Sequence, residues 1–300
     1  MACAGGFKAE ERCAMEKQVE YNYEPFADTE EYRKVNGDIT RSWIQIMVER
    51  GVESLDRFLD IATGAGTMAQ LFFDMLPLNL KESAVFCLDQ SADALKLAKR
   101  RLEKEIDRLT LINSSIQELD LPPRSLDVAI WGNGIHYLDE EEQLKSLKAI
   151  KKALKPGGWF FFNTAFYEEA RPAETIPFYR AQVKNAVQFL KKRGVRRVKI
   201  EKKAEAAKFH PRSYYEELVG NVGFDLVDAR EFAADLTKEA WEYISSFQQY
   251  ASGALHGYPD EVASDAMKNA VEPAILLHGE VNEDGNHFVT RKWLSISARA

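Results

Sequence analysis

The chain has 300 residues, of which 45 % are apolar and 29 % charged, with a formal net charge of −7. This balance describes an ordinary globular chain with room for one or two domains, whose overall charge attracts neither nucleic acid nor an anionic membrane. No apolar run approaches the ~20 residues that span a bilayer.

Met1 to Lys17 mixes Glu and Lys with small residues around no apolar centre, and reads as a loose tail rather than a secretory signal. Cys3, Cys13 and Cys87 are odd in number and lack metal-type spacing, which suggests a reducing, cytoplasmic setting. No histidine–carboxylate spacing reads as a metal site, and there is no internal repeat or low-complexity segment. An aromatic, acidic segment, Tyr21-Asn22-Tyr23-Glu24-Pro25-Phe26, leads to Tyr32 and Arg33. From Gly37 to Arg50, Ile39, Trp43, Ile46 and Met47 recur at helical spacing.

Short β-rich runs then alternate with helical stretches. Strands are predicted at Phe58–Thr63, Ala84–Asp89, Leu109–Asn113, Asp127–Trp131 and Trp159–Ala165, with helices near 66–76, 91–105 and 140–154. Such alternation specifies a parallel sheet covered by helices on both faces. Lys155-Pro156-Gly157-Gly158 ends the last of these helices, and the acids from Asp139 to Glu142 suit its N-terminus. Beyond Phe166 the rhythm changes. Residues 170–208 read as a long polar helix and a basic stretch, 211–223 as a helix ending in a glycine turn, and 225–232 as a strand. Residues 236–284 form a second helical insertion before an alternating strand, Phe288–Ala298. The expected organisation is a tail and lid segment at 1–36, a core at 37–166, a helical insertion at 167–210, and the rest of the core at 211–300 with a cap at 236–284. The two insertions read as a lid over one site, not as an independent domain.

The richest stretch is 57–67, where an apolar strand runs into a turn carrying Gly64 and Gly66 and then into a helix. Glycines at that junction let backbone approach a ligand and let helix N–H groups point at it. Asp60, four residues before Gly64, suits a cationic ligand. Gly64, Gly66 and Ala69, with Asp89 about 20 residues on, also satisfy a dinucleotide fingerprint. Asp60 argues against that reading, because a pyrophosphate would meet an unpaired carboxylate.

On these residues the chain resembles the class I S-adenosylmethionine-dependent methyltransferases, over roughly residues 20–300 and most strongly over 57–166. The resemblance implies a doubly wound, seven-stranded, mostly parallel Rossmann-like sheet with helical cap insertions, and S-adenosyl-L-methionine as cofactor. It further implies that Asp60, Ala62, Gly64, Gly66 and Thr67 surround the methionine end, and that Asp89, with Gln90, takes the ribose hydroxyls. A carboxylate suits a vicinal diol because it accepts both O–H donors. Ser115 stands where an acidic residue often meets the adenine amino group, so that contact is weaker or passes to backbone; Ile116 can pack on the ring. Asn133 lies in the small-residue turn 132–137 beside the methyl donor.

His136 is the candidate general base, since its ordinary pKa lies near neutrality; the alternative is an imidazole bonded to backbone at a helix start. Tyr21, Tyr23 and Tyr137 are candidate acceptor contacts or packing residues. The basic run Lys191 to Lys199, with Lys202 and Lys203, suggests an anionic partner or a solvated helix end. The aromatic residues of the two insertions fit an apolar pocket for a small organic acceptor, methylated first on oxygen and otherwise on nitrogen or carbon, in specialised metabolism. A silent cofactor-binding protein and an RNA or protein methyltransferase are the other functional readings.

Overall fold

A computed structural model describes residues 22–199 and 205–300, apart from the side chain of Ala206. Tyr21, Cys3, Cys13, Lys202 and Lys203 lie outside the described residues. The centre is an eight-stranded sheet of β1 (Arg57–Ile61), β2 (Ala84–Asp89), β3 (Leu109–Asn113), β4 (Leu126–Gly132), β5 (Leu154–Thr164), β6 (Asp225–Thr237), β7 (Glu280–Val281) and β8 (His287–Arg299). Its order is β3-β2-β1-β4-β5-β8-β6, with the two-residue β7 pairing to β8 off this path. β1 to β5 are mutually parallel, while β8 runs antiparallel to both β5 and β6.

Alternation along each strand sends side chains to two separate cores. Trp159 and Phe161 of β5 face one side, and Phe160 and Phe162 the other. On the first face lie α2 (Glu30–Glu49), α3 (Thr67–Met75) and α4 (Ala92–Leu102); the second is covered by α5 (Glu140–Ala153) and α7 (Arg212–Asn221). α5 starts at the acids expected at its N-terminus, and they form a capping box: Asp139 accepts from the Glu142 amide and Glu142 accepts from the Asp139 amide. α2 begins earlier than the periodicity of 37–50 suggests, because Thr29 caps it by accepting from the Tyr32 amide at 3.3 Å. A single turn, α1 (Glu24–Ala27), precedes it.

The larger difference lies in the last hairpin. The strand expected at 225–232 continues to Thr237, and its partner β8 is equally long. β5 pairs with β8 only from Leu294 to Arg299, so the half from Phe288 to Trp293 extends past the end of β5, paired with β6 and, at Phe288, with the two-residue β7. Its apolar residues Leu236, Val289 and Trp293 are buried by helices rather than by a further strand. Those helices are α6 (Ile176–Lys192), α8 (Lys238–Ser246), α9 (Gln248–Ala254), α10 (Asp260–Asn269) and α11 (Val271–His278). They share one apolar cluster with α2, α3 and the first face of the sheet. No helix among the described residues is long and apolar enough to cross a membrane.

Candidate functional site

At the carboxyl ends of β1, β2 and β4 a cavity of about 1110 Å³ opens, on the side to which β1 delivers its glycine turn. This crevice is where parallel α/β sheets hold ligands. Two glycines in the turn take positive φ, Gly64 at 55° and Gly66 at 83°, and Ala62 joins them at 52° despite its side chain. A non-glycine residue in that region is held by its surroundings at an energetic cost, a feature that concentrates at ligand sites.

The two acids divide their work. Asp89 ends β2 on the cavity wall; its Oδ2 accepts from the Gly64 amide at 2.9 Å and its Oδ1 from the Ser91 amide at 2.8 Å. Burial pushes its pKa up, and the amides of Ser91, Gly64 and Gln90 pull it back. The carboxylate retains acceptor capacity toward the cavity after these bonds. Asp60 is only 1 % exposed and sits one layer beneath the turn, off the cavity wall. Its Oδ2 accepts from the Thr63 hydroxyl at 2.6 Å and from the Ala69 amide at 3.1 Å, while Oδ1 has no partner among the described residues. Burial raises its pKa to about 7 against those bonds, with the Asp89 charge adding to the rise. Asp60 therefore braces the turn and places an ionisable group behind it, rather than meeting a ligand directly. Gly66 is also off the wall, packed so closely that a Cβ would lie 3.2 Å from the Ala98 Cα.

The other expected cofactor contacts, Ala62, Gly64, Thr67, Gln90, Ser115, Ile116 and Asn133, all line the cavity. Asn133 adopts φ 49° and is locked there. Its amide donates to the Asn163 carbonyl and side-chain oxygens at 3.1 and 3.0 Å, and its Oδ1 accepts from the Ala165 amide at 3.2 Å. Asn163 in turn donates to Asn36 of α2 at 2.8 Å, so a buried amide ladder ties the β4 turn to α2.

The tyrosines separate from the histidine. Tyr137 and Tyr23 line the cavity, and Tyr23 packs edge-on against Phe247 of the α8–α9 junction at 5.0 Å. Asn22 donates to the Ser246 carbonyl at 2.9 Å, and Arg101 of α4 grips Asp28 at 2.8 Å, so the N-terminal segment is fastened at both ends across the cavity. His136 turns the other way. The helical turn Ile135–Tyr137 sends adjacent side chains to different sides, and His136 stacks on Phe166 at 3.9 Å with Nδ1 3.0 Å from the Thr164 hydroxyl. Its Nε2 has no partner among the described residues, and it does not line the cavity. Burial, then the charge of Arg291, holds its pKa well below the ordinary imidazole range. This placement departs from the expectation of a base reaching the acceptor, because residue 137 rather than 136 faces inward.

Tyr32 is a wall residue that sequence reasoning passed over: it is 3 % exposed, and its hydroxyl accepts from the Asn133 side-chain Nδ2 at 3.4 Å. The basic run behaves as a helix end. Lys191 and Lys192 complete the last turn of α6, Arg193 pairs with Asp265 at 2.6 Å, and Arg197 donates to the His256 carbonyl. Among the described residues no cluster of His, Cys, Asp and Glu could hold a metal ion.

Comparison with known proteins matches residues 58–158 to a family described as a methyltransferase domain. The ubiquinone/menaquinone biosynthesis C-methyltransferase UbiE of Syntrophotalea carbinolica is 29 % identical over 127 residues, covering 42 % of this chain and 51 % of that protein. YdaC of Bacillus subtilis, an uncharacterized methyltransferase, is 33 % identical over 127 residues, covering 42 % of this chain and 64 % of its own. The match thus spans about half the length of the first of these relatives. Among solved structures, the YcgJ protein of Bacillus subtilis superposes with a TM-score of 0.52 at 13 % identity, over 86 % of this chain and 97 % of that one. The (4+2)-cyclase SpnF does so at 0.52 and 15 %, over 89 % and 81 %. These last two likenesses establish the fold alone.

Proposed function

We propose, from the premise that residues 58–158 form a class I S-adenosylmethionine-dependent methyltransferase domain, that the chain transfers a methyl group to a small organic acceptor. One observation carries this reading: the cofactor-side turn, the N-terminal segment and the cap line a single cavity of about 1110 Å³, to which the cap contributes one aromatic, Phe247, packed on Tyr23. Pockets of roughly this size hold small molecules together with a cofactor, whereas a macromolecular acceptor needs an open face.

The residues fit the cofactor. Asp89 offers lone pairs for a diol, Ile116 an apolar wall for a ring, and the backbone at Gly64 an approach without side-chain obstruction. Asp60, with an unpartnered Oδ1 and a pKa of about 7, supplies a negative field behind the turn once ionised. When bound, S-adenosylmethionine supplies an already activated methyl group. What remains for the protein is to hold the acceptor in line and exclude water, and positioning of that kind contributes on the order of 7–11 kcal/mol in favourable systems. Asn133, fixed by the amide ladder, and Tyr137, whose phenol burial keeps protonated, are the proposed positioning groups.

Oxygen is the proposed nucleophile. No imidazole lines the cavity, and an ionised phenol or enol asks for no base. Carbon is the alternative that the name of the UbiE relative brings. Incubation with radiolabelled donor and a panel of phenols, enols and amines tests the reading. Label in small products is expected; label only in RNA or protein fractions, or donor binding without turnover, would overturn it.

A further inference from the structure

β8 keeps its alternation where it passes beneath the cap, so Val289, Arg291 and Trp293 share one face. Val289 and Trp293 join the large apolar cluster, and Arg291 between them is 4 % exposed. Thr290 and Lys292, on the opposite face, bond to Asp235 and Glu231. Arg291 forms no ion pair among the described residues. A charge in such a setting is expensive unless other groups hold it.

The groups that hold it tie the cap to the end of β5. The rings of Phe166, of Tyr179 on α6 and of Trp241 on α8 lie 5.0, 5.9 and 6.0 Å from the guanidinium. Aromatic faces suit this weakly hydrated cation. Nη1 lies 3.5 Å from the Tyr179 hydroxyl. Nε and Nη2 both donate to the carbonyl of Ala165, the residue that follows β5, Nε at 3.1 Å.

Ala165 is gripped from its other side by the cavity wall. Its amide donates to Asn133 Oδ1 at 3.2 Å, which decides the way round that the Asn133 side chain lies. With Oδ1 turned to Ala165, Nδ2 donates to the Tyr32 hydroxyl at 3.4 Å. Asn133 and Tyr32 line the main cavity, and Arg291 does not. The Phe166 amide, in the same peptide unit as the Ala165 carbonyl, donates to the Thr164 hydroxyl oxygen at 3.0 Å, so that unit is pinned at both ends. A single residue, Ala165, therefore links the buried cation to the wall amide.

We propose that Arg291 is a positioning residue for methyl transfer: by holding Ala165 it fixes the side-chain amide of Asn133, and with it the Tyr32 hydroxyl, on the wall where the acceptor is oriented. The inference rests on the methyl-transfer reading, in which Asn133 does the orienting. A lysine would not serve at 291, because its compact, strongly hydrated ammonium lacks the planar fork that meets one carbonyl with two N–H groups.

The test is a double-mutant cycle on turnover, with Arg291→Gln, Asn133→Gly and the two combined. Glycine at 133 accepts the positive φ of 49° found there. Each single variant is expected to lower kcat at least tenfold, with KM for S-adenosylmethionine changed less than twofold. The combination is expected to be no slower than the slower single variant. Losses that multiply, or a folded Arg291→Gln with wild-type kcat, would overturn the proposal, since a cation that only stabilises the fold moves Tm and not this coupling. Should Arg291→Gln fail to fold, Tyr179→Leu, which strips the α6 side of the guanidinium, enters the same cycle with the same expectations. If the wild type turns over no acceptor, the methyl-transfer reading falls. The side-chain amide resonances of Asn133, identified by their loss in Asn133→Gly, then decide the positioning by themselves: they are expected to shift in Arg291→Gln, and unshifted resonances would sink it too.

Discussion

The Gly64 amide donates to Asp89 Oδ2 at 2.9 Å, so the turn after β1 is held by the acid at the end of β2. One carboxylate thereby sets the shape of the wall and offers its remaining lone pairs to a ligand. Asp89→Ala should lower S-adenosylmethionine affinity at least tenfold and, by leaving the Gly64 and Ser91 amides without acceptors, cost roughly 1–3 kcal/mol of stability. Calorimetry and urea unfolding check both numbers; unchanged affinity would remove the ribose assignment.

Asp60 makes stability and affinity depend on pH in opposite senses. Its pKa rises from 3.8 to about 7 on folding, so the protonated form is favoured in the native state. The stability this contributes is complete below pH 3.8, falls between 3.8 and about 7, and is lost above that. The loss corresponds to roughly 4 kcal/mol at full extent. Asp60→Asn should therefore be more stable than wild type at pH 8 and little different at pH 4, by urea unfolding without ligand. Ionised Asp60 favours a cation, so the preference for S-adenosylmethionine over the uncharged S-adenosylhomocysteine should grow from pH 6 to 8 in wild type and stay flat in Asp60→Asn.

His136 should not mark the pH–rate profile. Burial and Arg291 hold it neutral at and above pH 6.5, so over pH 6.5–9 it contributes no inflection. His136→Gln, which disturbs the stack on Phe166 and the neighbouring Tyr137, should lower kcat without moving the profile. An inflection present in wild type and absent in the variant would give His136 back the role of base.

Space, rather than dihedral angle, makes Gly134 irreplaceable. A Cβ there would lie 2.2 Å from the Trp131 Nε1 and 3.2 Å from the Ala62 Cβ. Gly134→Ala should cost roughly 1–3 kcal/mol and distort both β4 and β1 turns, seen as a lower Tm and weakened donor binding.

The amide ladder predicts a mutation whose effect is felt at a distance from α2. Asn163→Ala leaves the Asn36 Oδ1 without its donor and the Asn133 amide with one acceptor fewer. The expected loss is roughly 1–3 kcal/mol, together with a kcat decrease larger than any change in KM if Asn133 orients the reacting groups.

The alternation of strands and helices over 57–166 was legible because each strand is short, apolar and bounded by turn residues, and each helix keeps its period. Asp89 and the glycine turn were legible for a similar reason, since a positive φ and an acid at the end of a strand leave local marks. The orientation of His136 was not. In a single helical turn, neighbouring side chains diverge, and which one points inward depends on Phe166 and Thr164, about 30 residues away. The length of β6 escaped for another reason: residues 233–237 alternate weakly, and their burial comes from cap helices that follow in the chain.

The projecting half of the β6–β8 hairpin gives the molecule a separable anatomy. Its root is stitched into the rigid sheet, while its far end is a handle from which a bundle of helices hangs. Changes in that bundle can therefore reshape what is admitted without disturbing the strand order beneath, so selectivity and scaffold are free to evolve at different rates.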